Sequence, residues 1–300
     1  MTAAFSLDDL RLLVGGRFGV YDGPCPECGP HRRAPKNRTR PVLRVWYLDE
    51  RFATWCCARC GSRGEAHAGS RESGRRIDPE SLRVIRAAAA VCDRDAVATQ
   101  LAKALWLWRR RAEPRRSVVE VYLRDVRRYC GTIPATVGYL APYREHGPAM
   151  ITCYGMPSEP EPGILVMGEE AVRGVQITRL QPDGAKVPGS DKISIGRSAG
   201  WPTVLAPLND GLGLAICEGT EDALSIAEAT GLGAWAAGGA SRLPALAERV
   251  PACTNAVSVV ADSDEAGRRN AQALVGRLRL RLRGLRAEIV ALGDAPTGAA

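Results

Sequence analysis

Apolar residues along this chain recur in short blocks separated by Gly, Pro and acidic punctuation, and their period changes along its length. Two blocks are continuous: Leu214 to Cys217, stopped by Glu218-Gly219, and Val257 to Ala261, stopped by Asp262-Ser263-Asp264. Each passes directly into helical spacing, which predicts a buried strand, a tight turn and a helix. A third strand is expected over Ala287 to Leu292. Just before it, Leu278, Leu280 and Leu282 alternate with Arg277, Arg279, Arg281 and Arg283, a period of two that suits a strand better than a helix.

Upstream, residues 146–205 read as β structure, with GPAMITCY, GILVMG, AVRGVQITRL and KISIG as strand runs and Gln181-Pro182-Asp183-Gly184 as a hairpin turn. Residues 79–112 read as helical, as does Val118 to Arg128, where Val119, Tyr122, Leu123 and Val126 share a face. GSRESGRR, residues 69–76, has the composition of a linker. Near the N-terminus Ser6 is a candidate N-cap before Leu7, Leu10, Leu12 and Leu13, and VLRVWYL and RFATWCC are strand-like. The expected architecture is an α+β multidomain chain. It comprises a cysteine-bearing module over 1–68, a helical linker region over 77–145, a small β-rich basic subdomain over 146–211 and a C-terminal α/β, Rossmann-like domain over 212–293.

Composition narrows the functional classes. With 300 residues and 45% hydrophobic content the chain can bury several small cores. It has no apolar run of membrane-spanning length, and its first residues carry acids where a signal peptide would be basic, so a cytoplasmic protein with no membrane partner is expected. Ten cysteines in such a compartment point to metal rather than disulfides. The net charge of +8 favours an acidic partner, and it is concentrated: Pro30 to Arg76 holds twelve Arg and Lys against four Asp and Glu.

Cys25 and Cys28 form one Cys-x-x-Cys knuckle, and Cys57 and Cys60 a second, each followed by Gly and set beside strands. That is the spacing of a zinc ribbon, with four thiolates closing a structural Zn²⁺ site. Cys57 is chosen over its neighbour Cys56 because it alone gives the two-residue spacing, and His31 and His67 fall outside the knuckles. The intervening strands interleave cations with aromatics, among them Arg38, Arg40, Arg44, Trp46 and Trp55, a combination suited to tracking and stacking a single strand. The β-rich segment is basic, with Arg179, Lys186, Lys192 and Arg197, and two of the chain's four lysines lie there; a lysine in a chain this rich in arginine is a candidate phosphate ligand.

The acids at the two strand ends carry the strongest chemical signal. Asp262 and Asp264 are two apart and share a face in extended backbone, Glu218 ends the other strand, and Asp222 lies one turn into its helix. Four carboxylates in one crevice repel one another unless a cation such as Mg²⁺ or Mn²⁺ neutralises them.

EGTEDA, then GGAS, then ADSDEAG, over residues 212–293, resembles the Toprim domain shared by topoisomerases and primases. The form is most similar to bacterial DnaG-type primases and their phage and mobile-element relatives, which also carry an N-terminal zinc ribbon. Tyr122-Leu123-Arg124 before Ile133-Pro134 resembles an element of phage-type relatives. The resemblance implies template-directed synthesis of short primers on single-stranded DNA from nucleoside triphosphates. Asp262, Asp264 and Asp222 would hold Mg²⁺, and Glu218 would serve as general base or as a further ligand. The downstream acids of DnaG-type enzymes are reduced here to Asp294, and no P-loop is present, so a stand-alone phage- or plasmid-type primase is expected, with any replicative helicase acting in trans. A Toprim nuclease and a non-catalytic zinc-ribbon protein that binds single-stranded DNA are the alternatives.

Overall fold

The computed structural model describes residues 5–31, 35–67, 97–189 and 192–291. The expected linker at 69–76, the first part of the helical region, Arg32, Arg33 and Asp294 lie outside the described residues. The chain divides into two compact units, Met1–Ala96 and Val97–Ala300, each described by itself.

The N-terminal unit opens on α1 (Leu7–Leu13), where Ser6 is the N-cap of a capping box: its Oγ accepts from the Asp9 amide, and the Asp9 carboxylate accepts from the Ser6 amide. A short helix α2 (Pro35–Arg38) lies between β1 (Gly19–Pro24) and β2 (Pro41–Asp49). With β3 (Phe52–Cys57) and β4 (Arg63–His67), these strands form an antiparallel meander in sequential order. Leu43, Val45, Tyr47 and Trp55 point inward onto Leu10 of α1 and Val14 at its C-cap, and this cluster is small. The four predicted cysteines supplement it. Their sulfurs lie within 4.8 Å of one another, and Cys25–Cys60 and Cys28–Cys57 are each 3.9 Å apart. A tetrahedron with Zn–S bonds of about 2.3 Å has edges of about 3.8 Å, so the four thiols fit the ion. Burial raises the Cys25 and Cys60 thiols, whereas in Cys57 hydrogen bonds from the Cys60 and Arg59 amides and from the Cys60 and Cys25 thiols outweigh burial and the net direction is downward, so without a cation the cluster holds its negative charge on Cys57 first. Cys56, on the opposite side of the pleat, is exposed.

The second unit begins with α3 (residues 97–109). It is followed by α4 (Val118–Val121), which continues into a π-helical turn at Tyr122–Val126. An antiparallel sheet runs β10-β9-β6-β5, built from β5 (Val137–Leu140), β6 (Ala149–Gly155), β9 (Val172–Arg179) and β10 (Ile193–Gly196). A hairpin of β7 (Ser158–Glu161) and β8 (Ile164–Val166) interrupts it. Its faces are used differently. Ile151, Cys153 and Val175 pack against Ala104 and Trp108 of α3, while Met150 joins the core that holds Leu205, Cys217 and Ala236.

That second core belongs to a five-stranded sheet of order β11-β13-β12-β14-β15, from β11 (Thr203–Ala206), β12 (Gly213–Cys217), β13 (Gly233–Ala236), β14 (Ala256–Ala261) and β15 (Arg286–Ala291). All pairs are parallel except β11 with β13. The strands are connected through α5 (Thr220–Thr230), a 3₁₀ segment at Ala240–Glu248 and α6 (Glu265–Arg281). Three expectations change. β5 lies within the region expected to be helical, and β11 joins the C-terminal sheet although it was assigned to the β-rich subdomain. The Leu/Arg alternation at 277–283 is helical through Arg281. Ala271, Leu274, Val275 and Leu278 form the buried stripe, and Leu280 is left 86% exposed. The arginines there cover backbone acceptors: Arg281 donates to the Ala247 and Val250 carbonyls, Arg279 to Ala287 and Arg277 to Pro244.

Zinc content of the purified chain tests the ligand register: Cys57→Ser should lose the metal, whereas Cys56→Ser should retain one zinc per chain. The reverse result, zinc lost in Cys56→Ser and retained in Cys57→Ser, would show that the sheet is slipped by one residue.

Candidate functional site

The register of the parallel sheet brings the acids together. Cys217 of β12 is paired with Val260 of β14, so the residues that follow, Glu218 and Asp262, leave neighbouring strand ends side by side. Asp264 caps α6, its Oδ1 accepting from the Gly267 amide at 2.6 Å. Gly267 is required at this place, because a Cβ would stand 2.9 Å from Glu218 Oε1 and 2.7 Å from the Asp262 carbonyl. Asp222 sits in the first turn of α5, with Arg127 Nη2 at 3.7 Å from its Oδ1.

Glu218 bears the electrostatic load. Burial, then the charges of Asp262 and Asp264, push its pKa up to about 7, against the opposing effect of a hydrogen bond from the Ala240 amide. Its Oε1 is buried with no hydrogen-bond partner. Asp262 is also raised, by burial and by Asp222 and Asp264, with Lys192 acting in the opposite direction. A half-buried carboxylate with an orphaned oxygen beside two more acids has the donor set of a hard divalent cation. Among the described residues, the four cysteines are the one group of three or more ligand side chains gathered closely enough to enclose an ion unaided. The carboxylates are set wider, which suits Mg²⁺, an ion that keeps several waters and shares substrate phosphates.

The sequence reading missed Glu221. It is buried at the start of α5, and its carboxylate accepts from Lys186 Nζ (2.9 Å), Lys192 Nζ (2.6 Å) and the Tyr122 hydroxyl (2.7 Å). Burial alone would raise its pKa, but the two lysines hold it far below the usual carboxylate range. Lys186 and Lys192 are therefore committed first to a protein carboxylate, with their side chains 43% and 32% exposed. Two ammonium groups against one carboxylate still leave one positive charge, near the acids of the strand ends. Lys-x₅-Lys set against a Glu three residues after Glu218 was the available signal, but nothing local indicates such a pairing.

Other candidates are placed elsewhere. Arg179 lines the α3 side of the middle sheet, apart from Lys186 and Lys192. Trp55 is only 4% exposed; it packs edge-on against Phe5 with its Nε1 donating to Ser62, so it is core and offers no face to a base. Arg44 and Trp46 lie on the opposite, outer face of the β1–β4 sheet, where Arg44 forms a bidentate pair with Asp22 at 2.7 Å. Arg38 is exposed and Arg40 half-buried, at the entry to β2. The GGAS segment proves structural to the site: the Gly238 amide donates to the Glu218 carbonyl, and at φ +77° Gly238 leaves room for Tyr154, whose hydroxyl a Cβ would strike. Arg242 lies over the Tyr154 ring with Nη1 buried and unpaired.

Two stability outcomes follow from these groups. Because the folded pKa of Glu218 is raised, its contribution in the metal-free chain is full below the unfolded carboxylate pKa and is lost as pH rises through about 7. Glu218→Gln should abolish about 1–2 kcal/mol of that decline after allowance for solvent screening, read from thermal melts in chelator at pH 5 and pH 8. Glu221→Gln should cost about 3 kcal/mol in urea unfolding, the lower end for breaking a buried pair because both lysine side chains are partly exposed.

Residues 213–294 match the Toprim domain family. No curated protein matches the chain. Among solved structures it is similar to a DNA primase domain from Pseudomonas aeruginosa, at 13% identity and a TM-score of 0.34, covering 54% of this chain and 50% of that one. It is also similar to the Aquifex aeolicus primase, comprising zinc-binding and RNA polymerase domains, at 14% identity and a TM-score of 0.35, covering 96% and 80%. The chain thus spans half the length of the first of these. The four-cysteine unit and the acid-bearing strand ends of β12 and β14 therefore belong to a mixed α/β protein whose residues 213–294 are a Toprim domain.

Proposed function

We propose that the chain is a cytoplasmic primase-type nucleotidyltransferase, making short primers on a single-stranded DNA template from nucleoside triphosphates. The observation that carries this reading is Glu218: a carboxylate with one oxygen buried and unpaired, raised toward neutrality beside Asp262 and Asp264. Glu218, Asp262 and Asp264, with Asp222 adjacent, would hold Mg²⁺ or Mn²⁺. When bound, the ion would neutralise the triphosphate and polarise its α-phosphorus.

The protein's own groups account for the rest. Where Glu218 is not itself a ligand of the ion, its raised pKa, about 7 in the metal-free cluster, makes it a base able to take the proton of an attacking 3′-hydroxyl as the hydroxyl oxygen bonds to the α-phosphorus and the bond to pyrophosphate breaks. The residual positive charge of Lys186 and Lys192, held in place by Glu221, would attract the outgoing phosphates. In the N-terminal unit, Arg38, Arg40, Arg44 and Trp46 are the proposed template contacts, and Trp55 is withdrawn from that set.

Extension of labelled nucleoside triphosphates on single-stranded DNA with Mg²⁺ or Mn²⁺ tests this reading. Template-dependent oligonucleotides should form, and Glu218→Gln and Asp262→Asn should each reduce them by at least about 100-fold with DNA retention unchanged. Degraded template would identify a nuclease, and retention without either product would identify a binding protein.

A further inference from the structure

The face of the middle sheet turned away from the Toprim strands carries a cavity of about 420 Å³, a size typical of small-molecule sites. Ile177 of β9 and Ile193 of β10 contribute to its floor. One wall is α3, which places two tryptophans differently: Trp108 is fully buried against the sheet, while Trp106 is 46% exposed at the cavity. Tyr143 faces Trp106 at 6.0 Å between ring centroids, and the Arg110 guanidinium lies 4.9 Å from one ring and 4.4 Å from the other. A tight turn fixes Tyr143, its backbone exchanging two hydrogen bonds with His146.

Lys103, Arg144 and Arg179 complete the charged lining, and among the described residues no carboxylate pairs with them or with Arg110. The one acid of the lining, Glu145, has its side chain 76% exposed and set beside its neighbour His146. The cavity therefore combines four cations with two partly exposed aromatic faces over an apolar floor. Cations demand an anion, and exposed rings flanked by a planar guanidinium favour a flat π-system. A ligand satisfying both is a nucleobase attached to its phosphate.

We propose that this cavity is a nucleotide-binding subsite, separate from the carboxylate site and independent of divalent metal. Its occupant stacks on Trp106 or Tyr143 and sets its phosphate among Lys103, Arg144 and Arg179. That nucleotide is either free or one residue of a single strand, and the site stands whether or not the carboxylates support primer synthesis.

Photocrosslinking of the full chain without added Mg²⁺ tests the subsite, using 5-iododeoxyuridine monophosphate in one arm and a short oligothymidylate containing the same base in the other. Mass spectrometry should place adducts on Trp106 or Tyr143: in both arms for a free-nucleotide site, in the oligonucleotide arm alone for a strand site. Trp106→Leu should weaken binding of the crosslinked probe by about tenfold, as loss of one stacking ring does. Arg110→Gln, an exposed position, provides the same test should the tryptophan variant fold poorly. Adducts confined to other residues, or unchanged affinity in both variants, would overturn the proposal.

Discussion

Repulsion among carboxylates at two adjacent strand ends is the constraint around which the C-terminal unit is arranged. A parallel register that pairs Cys217 with Val260 cannot avoid placing Glu218 beside Asp262, and the helix cap adds Asp264. Burial first, and then the charges of Asp262 and Asp264, raise the Glu218 carboxyl to about 7, so the cluster is unstable as a set of bare anions. The surrounding structure accepts the cost in return for a crevice of concentrated negative charge. Gly267 gives up its side chain so that α6 can approach, and the Gly238 turn closes the backbone of Glu218 from the other side.

Glu221 answers that field with a second charge arrangement of opposite sign. Two lysines brought near acids would collapse onto them as simple ion pairs. Holding both on a buried carboxylate, itself anchored by Tyr122, keeps them at a defined place and leaves one net positive charge. Acids and fixed basic groups are thereby set side by side, with neither neutralising the other. The π-helical turn that bears Tyr122 is thereby tied to α5 of the Toprim domain, across 99 residues of sequence.

The middle sheet owes its importance to having two different faces. One packs through Met150 into the core shared with the Toprim strands, and the other receives α3 and the cation-rich aromatic cavity. The N-terminal unit solves a different problem, having too few apolar side chains for its four strands; the cysteine cluster, with its sulfur geometry already suited to zinc, supplies the remaining constraint.

What the amino-acid sequence determined by itself was whatever depends on short spacings. Two residues between cysteines, one between Asp262 and Asp264, and a strand run ending in an acid each impose geometry within a turn or a pleat, so the four-cysteine cluster and the strand-end acids were legible. The outcomes that needed tertiary structure all turn on which side of an element faces a neighbour distant in sequence. Trp55 and Trp46 alternate on adjoining strands, and only the packing of α1 decides that Trp55 is core. The Leu/Arg alternation of 277–283 fits a strand locally, yet the 3₁₀ segment at Ala240–Glu248 offers carbonyls and an apolar groove that a helix alone can meet. Lys186 and Lys192 were legible as charges but not as partners of Glu221, because Coulomb attraction acts through space and the fold, not the spacing, brings them to it.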